Sequence, residues 1–286
     1  TPVDLDDAPN APAAQIEVVA VGPLVGTLRV TRKLHNSTMT QEISLRRNSR
    51  RLDFRTSIDW QERHKLLKVI FPVDVHANEA LHEIQFGHIA RPNHRSRPFD
   101  ADRFEVANHK WTALVQSDRG AAVLNDCKYG VNVLDDEIKL TLLKSALAPD
   151  MHADLGVQTF TYAFYAWHGG FGDSELVRES YDLNAPLMTV PGDASTRSLF
   201  SVDAPNVVVE AVKPAEDGTE DVIVRLYEAK RMTTACTLTT SLPVTSVAST
   251  DMLEMTVLEA LDVADGRIAL SFRPFEVKTL RLRLDR

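Results

Sequence analysis

The sequence predicts an all-β protein, with a large antiparallel sandwich followed by a smaller one. Short runs that alternate apolar and polar residues recur along most of the chain, and Gly, Asn, Asp and Pro lie between them. Strands do not alternate with long helical stretches, as they would in a parallel α/β sheet. These two patterns favour sandwiches or barrels over any helical class.

Strands of the first sandwich begin near the start of the chain. QIEVVAVGPLVGTLRVTRKL (residues 15–34) has two alternating runs around a Gly-Pro turn. In SLRRNSRRLDFRTSIDW (44–60) alternation continues from Leu52 to Ile58, so one face of that strand should be buried. The apolar run of HKLLKVIFPVDV (64–75) is interrupted by Pro72.

Further strands follow in the middle of the chain. GAAVLNDCKYGVNVLDDEIKLTLLKS (120–145) predicts three strands separated by turns, and the polar LNDCKYG stretch has the composition of a hairpin turn. QTFTYAFYAWHGG (158–170) alternates again and ends on two glycines. One short helix is predicted over residues 173–181, with Asp173 or Ser174 as its N-cap.

Composition divides the chain into four parts. Residues 1–15 are rich in Pro, Ala and Asp and read as a linker, and residues 16–183 form the large sandwich. Residues 184–205 contain Pro, Gly and Ser without clear periodicity and connect the domains. Residues 206–286 hold six or seven short strands, the size of a small sandwich, with a hairpin loop at 213–219.

Charge and cysteine usage exclude several functions. Lys and Arg number 32 against 40 Asp and Glu, a net charge of −8, which argues against nucleic acid or anionic membranes as partners. No apolar run approaches the roughly 20 residues of a membrane helix. Two distant cysteines, Cys127 and Cys236, form no zinc knuckle or redox dithiol and favour a reducing cytoplasm.

The stretch FGHIARPNHRSRPFDADRFEVANHKW (86–111) concentrates polar side chains. As a metal site it is weak, because its three histidines have no short ligand spacing and its carboxylates lack the Gly of a calcium loop. Sugar binding, which uses planar polar groups beside an aromatic face, fits better and would involve His94, Asn108, His109, Lys110 and Trp111. The alternative for Trp111 is a core residue at a strand end.

LNDCKYG (124–130) is a second candidate. Turn chemistry explains part of it, whereas loops on a rigid β scaffold also carry binding groups, and both readings stay open for Asn125, Asp126, Lys128 and Tyr129. Cys127 could be a nucleophile only beside a base, and no base is evident in the sequence.

Together these stretches resemble the C-terminal half of glycoside hydrolase family 38 α-mannosidases of the bacterial and cytosolic-type branch. The resemblance covers nearly the whole chain and is carried by RLDFRTSIDWQERHKLLKVIFPVDV, HEIQFGHIARPNH, RFEVANHKW, AVLNDCKYG, LLKSALAPD, FTYAFYAWHGG and the tail VVVEAVKPAEDG to FRPFEVKTLRL. The usual family pattern is broken at Asn93 and Arg97, on either side of His94.

The resemblance implies the β super-sandwich shared with galactose-mutarotase-like proteins, followed by a small β-sandwich. Family members are retaining exo-α-mannosidases whose zinc, nucleophilic aspartate and acid/base aspartate lie in an N-terminal domain. The resemblance therefore implies no catalytic residue and no metal in this chain, with zinc in the catalytic domain that it lacks. Its loops would help form the sugar cleft, and the candidates are Asn125, Asp126, Lys128, Tyr129, His94, His109, Trp111 and Arg91.

The expected partners are thus an α-mannoside or oligosaccharide and the N-terminal catalytic domain of the same protein, in the cytoplasm, with a homo-oligomer left open. One alternative is a stand-alone carbohydrate-binding module with Trp111 or Tyr129 as its platform. Another is an aldose-epimerase-like enzyme on the same fold, which needs a His and a Glu in one cleft. His82 and Glu83 alternate on opposite faces of a strand, so that pair cannot serve alone.

Overall fold

A computed structural model of the chain describes residues 12–193 and 195–285. It divides into two compact units. The first comprises the chain up to Ile84 together with Ile89–Pro186, and the second comprises Gln85–His88 and the chain from Leu187 onward. Most of the predicted linker, residues 1–11, lies outside the described residues.

The first unit consists of two antiparallel sheets and one helix. Its elements are β1 (Gln15–Val21), β2 (Val25–Leu34), β3 (Ser37–Arg46), β4 (Arg51–Trp60), β5 (Leu67–Pro72), β6 (Glu79–Ile84), most of β7 (Gly87–Pro92), β8 (Val106–Ala107), β9 (Trp111–Val115), β10 (Arg119–Asn125), β11 (Gly130–Leu134), β12 (Glu137–Leu143), β13 (Gly156–His168) and α1 (Leu176–Asn184). The large sheet has the order β1-β2-β3-β4-β13-β10-β9-β6-β7, and the small sheet has the order β5-β12-β11-β8.

The main core of this unit lies between the two sheets. β4 shows how the sequence builds it: Phe54 and Ile58 point inward, whereas Arg55 and Asp59, which directly follow them, are exposed. Aromatic rings then fill the space, with Phe54 stacked on Tyr162 at a centroid distance of 4.9 Å. The predicted alternation of this strand is confirmed.

The opposite face of the large sheet is divided in two. Over β9, β10 and β13 it is apolar, and Leu176 of α1 joins the core there with Trp111 and Leu124. Over β2, β3, β4 and β13 it is polar, because Arg29, Glu42, Arg55 and Thr161 follow one another in register across the four strands. A polar groove therefore runs along this half of the sheet.

Two local predictions are corrected. Residues 126–129 do not close a hairpin, because β10 pairs with β9 and β13 whereas β11 pairs with β12 and β8. The predicted helix begins at Leu176 and neither proposed N-cap caps it. The Asp173 carboxylate accepts a hydrogen bond from the Gly170 amide, and the Ser174 hydroxyl donates to the Phe171 carbonyl, so both side chains serve the turn before the helix.

The second unit is the predicted small antiparallel sandwich. Its strands are β14 (Phe200–Val202), β15 (Val207–Pro214), β16 (Val222–Glu228), β17 (Thr234–Thr240), β18 (Val244–Thr250), β19 (Val257–Leu261), β20 (Arg267–Phe272) and β21 (Val277–Leu284). Sheets of order β14-β17-β20 and β15-β16-β21-β18-β19 enclose a core that includes Val224, Leu238, Ile268 and Leu280. The all-β prediction is confirmed for the chain.

Within residues 12–193 and 195–285, no helix combines the length and apolar character needed to cross a membrane.

Candidate functional site

Residues 126–129, called the crossing loop below, carry the chain from the large sheet to the small one. Asn125, at the end of β10, is fully buried and anchors this loop. Its Nδ2 donates to Asn108 Oδ1 at 3.2 Å and to the His109 carbonyl at 2.8 Å. Its Oδ1 accepts from the Lys128 amide at 2.9 Å. Asn125 therefore fixes the loop rather than facing a ligand.

A buried polar chain continues behind Asn125. Asn108 Nδ2 donates to Thr112 Oγ1 at 2.7 Å, and that hydroxyl lies 3.1 Å from His82 Nδ1. Burial, followed by the nearby charge of Arg91, lowers the pKa of His82 to about 3. His82 is thus neutral at physiological pH, and it belongs to the support of the loop.

The His82 pKa predicts a pH dependence of stability. Because the folded pKa lies below the unfolded value of 6.5, the unfolded chain binds this proton first as the pH falls. At 1.4 kcal/mol per pH unit, going from pH 7 to pH 5 should remove about 2 kcal/mol of the free energy of unfolding. The loss should begin below pH 6.5 and continue to about pH 3.

Urea unfolding of the chain at pH 7 and pH 5 measures the contribution of His82 to this loss when wild type is compared with His82→Asn. Asparagine has an amide in place of the imidazole and takes up no proton, so the variant should show a pH 7 to pH 5 loss smaller by about 2 kcal/mol. Equal losses in the two proteins would show that His82 titrates normally in the fold.

Asp126 ties the crossing loop to β13. Its amide donates to the Thr161 carbonyl at 3.1 Å and its Oδ2 accepts from the Thr161 amide at 2.9 Å. Oδ1 is buried without a hydrogen-bond partner among the described residues. Asp126 also borders an open cleft of about 470 Å³ on the polar half of the large sheet, whose other lining includes Glu42 and Arg55.

Tyr129 and His109 form the open surface of the crossing loop. The Tyr129 side chain is 52% exposed, and its ring lies 5.5 Å from the His109 ring, centroid to centroid. The Tyr129 carbonyl accepts from the Asn108 amide at 2.9 Å, which holds the residue in place. Lys128 Nζ lies 4.4 Å from the centroid of the Phe160 ring, so its charge packs against the scaffold.

Lys110 and Glu83 neutralise each other next to this surface. Lys110 Nζ donates to Glu83 Oε1 at 2.9 Å, and the Lys110 amide donates to Oε2 at 2.8 Å. His82 and Glu83 are both buried and engaged in separate contacts. This arrangement gives no support to the epimerase alternative, which needs both groups exposed in one cleft.

Two further candidates have mainly structural contacts. Trp111 is 1% exposed and packs in the apolar core with its ring 5.5 Å from that of Phe171, so it has no open face for a sugar. This is the core position that the sequence had left as the alternative. Arg91 Nη1 donates to the Ala107 carbonyl at 3.1 Å, and burial followed by the charge of Arg103 lowers its pKa.

His94 lies in the preceding loop and its contacts are local. Its Nδ1 accepts from the Ser96 amide at 3.4 Å and lies 3.8 Å from Asp100 Oδ2. Arg97 pairs with the same Asp100 at 3.0 Å, and the Arg97 guanidinium lies over the Phe99 ring. The contacts that join Asn125, Tyr129 and His109 do not extend to His94.

Cys127 has the wrong ionisation for a nucleophile. Although Cys127 is exposed, partial desolvation by the surrounding loop, and then its hydrogen bond to Asp126, raises the pKa of the thiol to about 11. The group is therefore a neutral thiol at physiological pH, and the sulfur attacks carbon only as a thiolate.

In the part of the chain that the structure describes, no group of three or more His, Cys, Asp or Glu side chains is placed to hold a metal ion. The family resemblance implies zinc for the catalytic domain, and the described residues offer no such cluster to hold it.

Sequence reasoning missed the residues that support the crossing loop. Thr112, Phe160 and Thr161 hold it from neighbouring strands, and Asn184 of α1 donates to the Asn125 carbonyl at 3.0 Å. The partners lie from 4 to 59 residues apart in the sequence. No local pattern marks such pairs, because they depend on which strands become neighbours.

Comparisons with known proteins agree with this architecture. The protein-family model described as "Glycosyl hydrolases family 38 C-terminal domain" matches residues 2–152. A second family model, "Glycosyl hydrolases family 38 C-terminal beta sandwich domain", matches residues 206–280. Alpha-mannosidase 2C1 of Mus musculus is 40% identical over 254 residues, covering 86% of this chain and 24% of that protein. Alpha-mannosidase G of Dictyostelium discoideum is 37% identical over 257 residues, covering 86% and 23%.

Among solved structures, an alpha-mannosidase from Enterococcus faecalis V583 superposes with a TM-score of 0.79 at 18% identity, over 96% of this chain and 35% of that chain. At this identity the likeness speaks for the fold alone. The chain spans about a quarter of the length of the curated relatives that it matches.

Proposed function

Since this chain belongs to glycosyl hydrolase family 38 and corresponds to its C-terminal domains, we propose that it is the non-catalytic C-terminal portion of a retaining exo-α-mannosidase. The names of relatives at 37–41% identity support this activity for the longer protein. The substrate would be an α-mannoside or oligosaccharide, and the pathway would be mannose metabolism. Two carboxyl groups about 5–5.5 Å apart, which retention requires, would come from the remainder of the protein.

The crossing loop is the observation that carries the proposal for this chain. Asn125 and Asp126 fix it to the segment before β9 and to β13, and it presents Tyr129 beside His109 at the surface. A sugar ring has an apolar face that packs well on an aromatic ring, and the imidazole can hydrogen-bond its hydroxyls. A platform held this rigidly would restrict where mannose sits relative to the catalytic carboxyls, which assists the reaction by positioning.

We expect Tyr129→Ala in the full-length protein to raise KM for a chromogenic α-mannoside by about tenfold, with kcat changed less than about threefold. The ring binds the sugar without touching the reacting atoms, so substrate and transition state should lose similar binding energy. Steady-state kinetics at several substrate concentrations separates the two parameters.

Phe104→Ala is the matched control, because Phe104 is also an exposed aromatic, at 66% against 52% for Tyr129. It should leave KM unchanged. If both variants behave like wild type, the crossing loop does not face the sugar, and the proposed role of Tyr129 is wrong.

A stand-alone carbohydrate-binding module is the second candidate, favoured by the open cleft next to Asp126. Trp60, Trp111 and Trp167 are all buried, so tryptophan fluorescence would report mannose binding poorly. Isothermal titration of the 286-residue chain with mannose and mannobiose tests this candidate directly. Millimolar or tighter binding without the rest of the protein would favour the module.

We also propose a reducing compartment, the cytoplasm, as the location. The observation in support is that neither Cys127 nor Cys236 forms a disulfide.

A further inference from the structure

The large sheet of the first unit is much wider than the sheet that covers it. The large sheet has nine strands and the small one has four, of which β5 is an edge strand. Phe71 of β5 reaches Phe54 of β4 at a centroid distance of 5.9 Å. Beyond β4, the inward face of the large sheet continues over β3, β2 and β1.

Several apolar side chains lie on that continuation and are open to solvent. Val18 pairs with Leu28, Leu28 with Ile43 and Ile43 with Phe54, so they share the face that becomes the core under β5. The exposed fractions are 68% for Ile16, 60% for Val18, 42% for Leu28 and 49% for Leu45. These four residues are called the apolar edge face below.

The other face of the same strands has the chemistry of a solvated surface. Arg29 pairs with Glu42 at 2.9 Å and with Glu17 at 3.2 Å. A sheet that has water on both sides carries polar residues on both, whereas here one face is charged and the other apolar. Since β1 is also an edge strand, an uncovered apolar face at this position would favour aggregation.

We propose that the apolar edge face is the surface on which the preceding part of the longer polypeptide packs. This inference rests on the proposed function, in which the chain is a C-terminal portion. In a C-terminal domain the preceding part of the protein enters next to β1, the first strand. The relatives have about three quarters of their length outside the match. A tethered partner is present at high effective concentration, so a contact with a few side chains is enough to keep it bound.

Hydroxyl-radical footprinting tests the proposal by comparing the 286-residue chain with the full-length protein that carries it. Oxidation of Leu28 and Leu45 should be at least about fivefold slower in the full-length protein, because a packed interface excludes water. The readout does not use mannosidase activity. Protection of the two leucines without mannosidase activity would therefore contradict the proposed function and support the packing surface. Activity without protection would support the proposed function and contradict the packing surface.

Val18→Asp and its control Val257→Asp identify the contact. Both valines lie in edge strands, with exposed fractions of 60% and 63%. In the 286-residue chain neither substitution should shift the unfolding midpoint, because both side chains already face water. In the full-length protein only Val18→Asp should restore oxidation of Leu28 and Leu45, because it buries a charge at the contact.

Three results would overturn the proposal. Equal oxidation rates of Leu28 and Leu45 in the two proteins would show that nothing covers the face. Destabilisation of the 286-residue chain by Val18→Asp would show that Val18 belongs to the chain's own fold. Protection in the 286-residue chain that grows with its concentration would identify a second copy as the occupant.

Discussion

Gly120→Ala is expected to lower the free energy of unfolding of the first unit by about 3 kcal/mol. A Cβ at this position of β10 would lie 2.5 Å from Cε2 and Cη2 of Trp167 on the neighbouring strand. The indole cannot move aside easily. It is buried, stacks with Tyr165 at 5.6 Å and donates from Nε1 to the Gly170 carbonyl at 3.1 Å.

Gly26→Ala is the matched control for this prediction. Gly26 also lies inside a strand of the same sheet, but a Cβ there would meet no atom within 4 Å. This variant should be neutral or stabilising by up to about 1 kcal/mol, because alanine loses less backbone entropy on folding than glycine does. Urea unfolding followed by circular dichroism measures both. Equal effects would mean that Trp167 does not lie over Gly120.

Asn125→Asp is expected to cost about 3 kcal/mol of the free energy of unfolding and to loosen the crossing loop. The carboxylate can still accept from the Lys128 amide. It cannot donate to Asn108 Oδ1 or to the His109 carbonyl, so two acceptors and a negative charge would meet in a fully buried site.

Urea unfolding gives the cost, and the reaction of Cys127 with a thiol reagent reports the loop. Cys127 is exposed in the loop whereas Cys236 is buried, so a faster reaction at one sulfur can be assigned to Cys127. Asn132→Asp is the control, since Asn132 lies in β11 outside this hydrogen-bond chain. If Asn125→Asp is as stable as Asn132→Asp, Asn125 is not the anchor described above.

The elements of the fold were largely predictable because their causes are local. Alternation in LDFRTSID identifies both the strand β4 and its buried face, and the hairpin loop after Lys213 follows from its Pro, Asp and Gly. The start of α1 was placed too early, because Asp173 and Ser174 are good N-caps by type and the preceding turn uses them first. Residue type indicates what a side chain can do, but the backbone around it decides which bond forms.

The candidate site was predictable only as a set of segments. Asn, Asp and Gly in LNDCKYG suit a hairpin turn and a crossing between sheets equally well, and only the strand partners distinguish the two. Asn125 was predicted as a binding residue because its hydrogen bond to the His109 carbonyl forms only in the folded chain and leaves no trace in the sequence. The pairing of Tyr129 with His109 likewise depends on β8 and β11 being neighbours.

The most direct test of the account is the hydrolysis of a chromogenic α-mannoside by the 286-residue chain and by the full-length protein, side by side with added zinc. We expect turnover by the full-length protein, and no turnover by the 286-residue chain beyond that of a sample without zinc. Turnover by the chain alone would contradict the account by revealing a catalytic pair within these residues. A full-length protein that leaves α-mannosides intact would contradict the proposed activity.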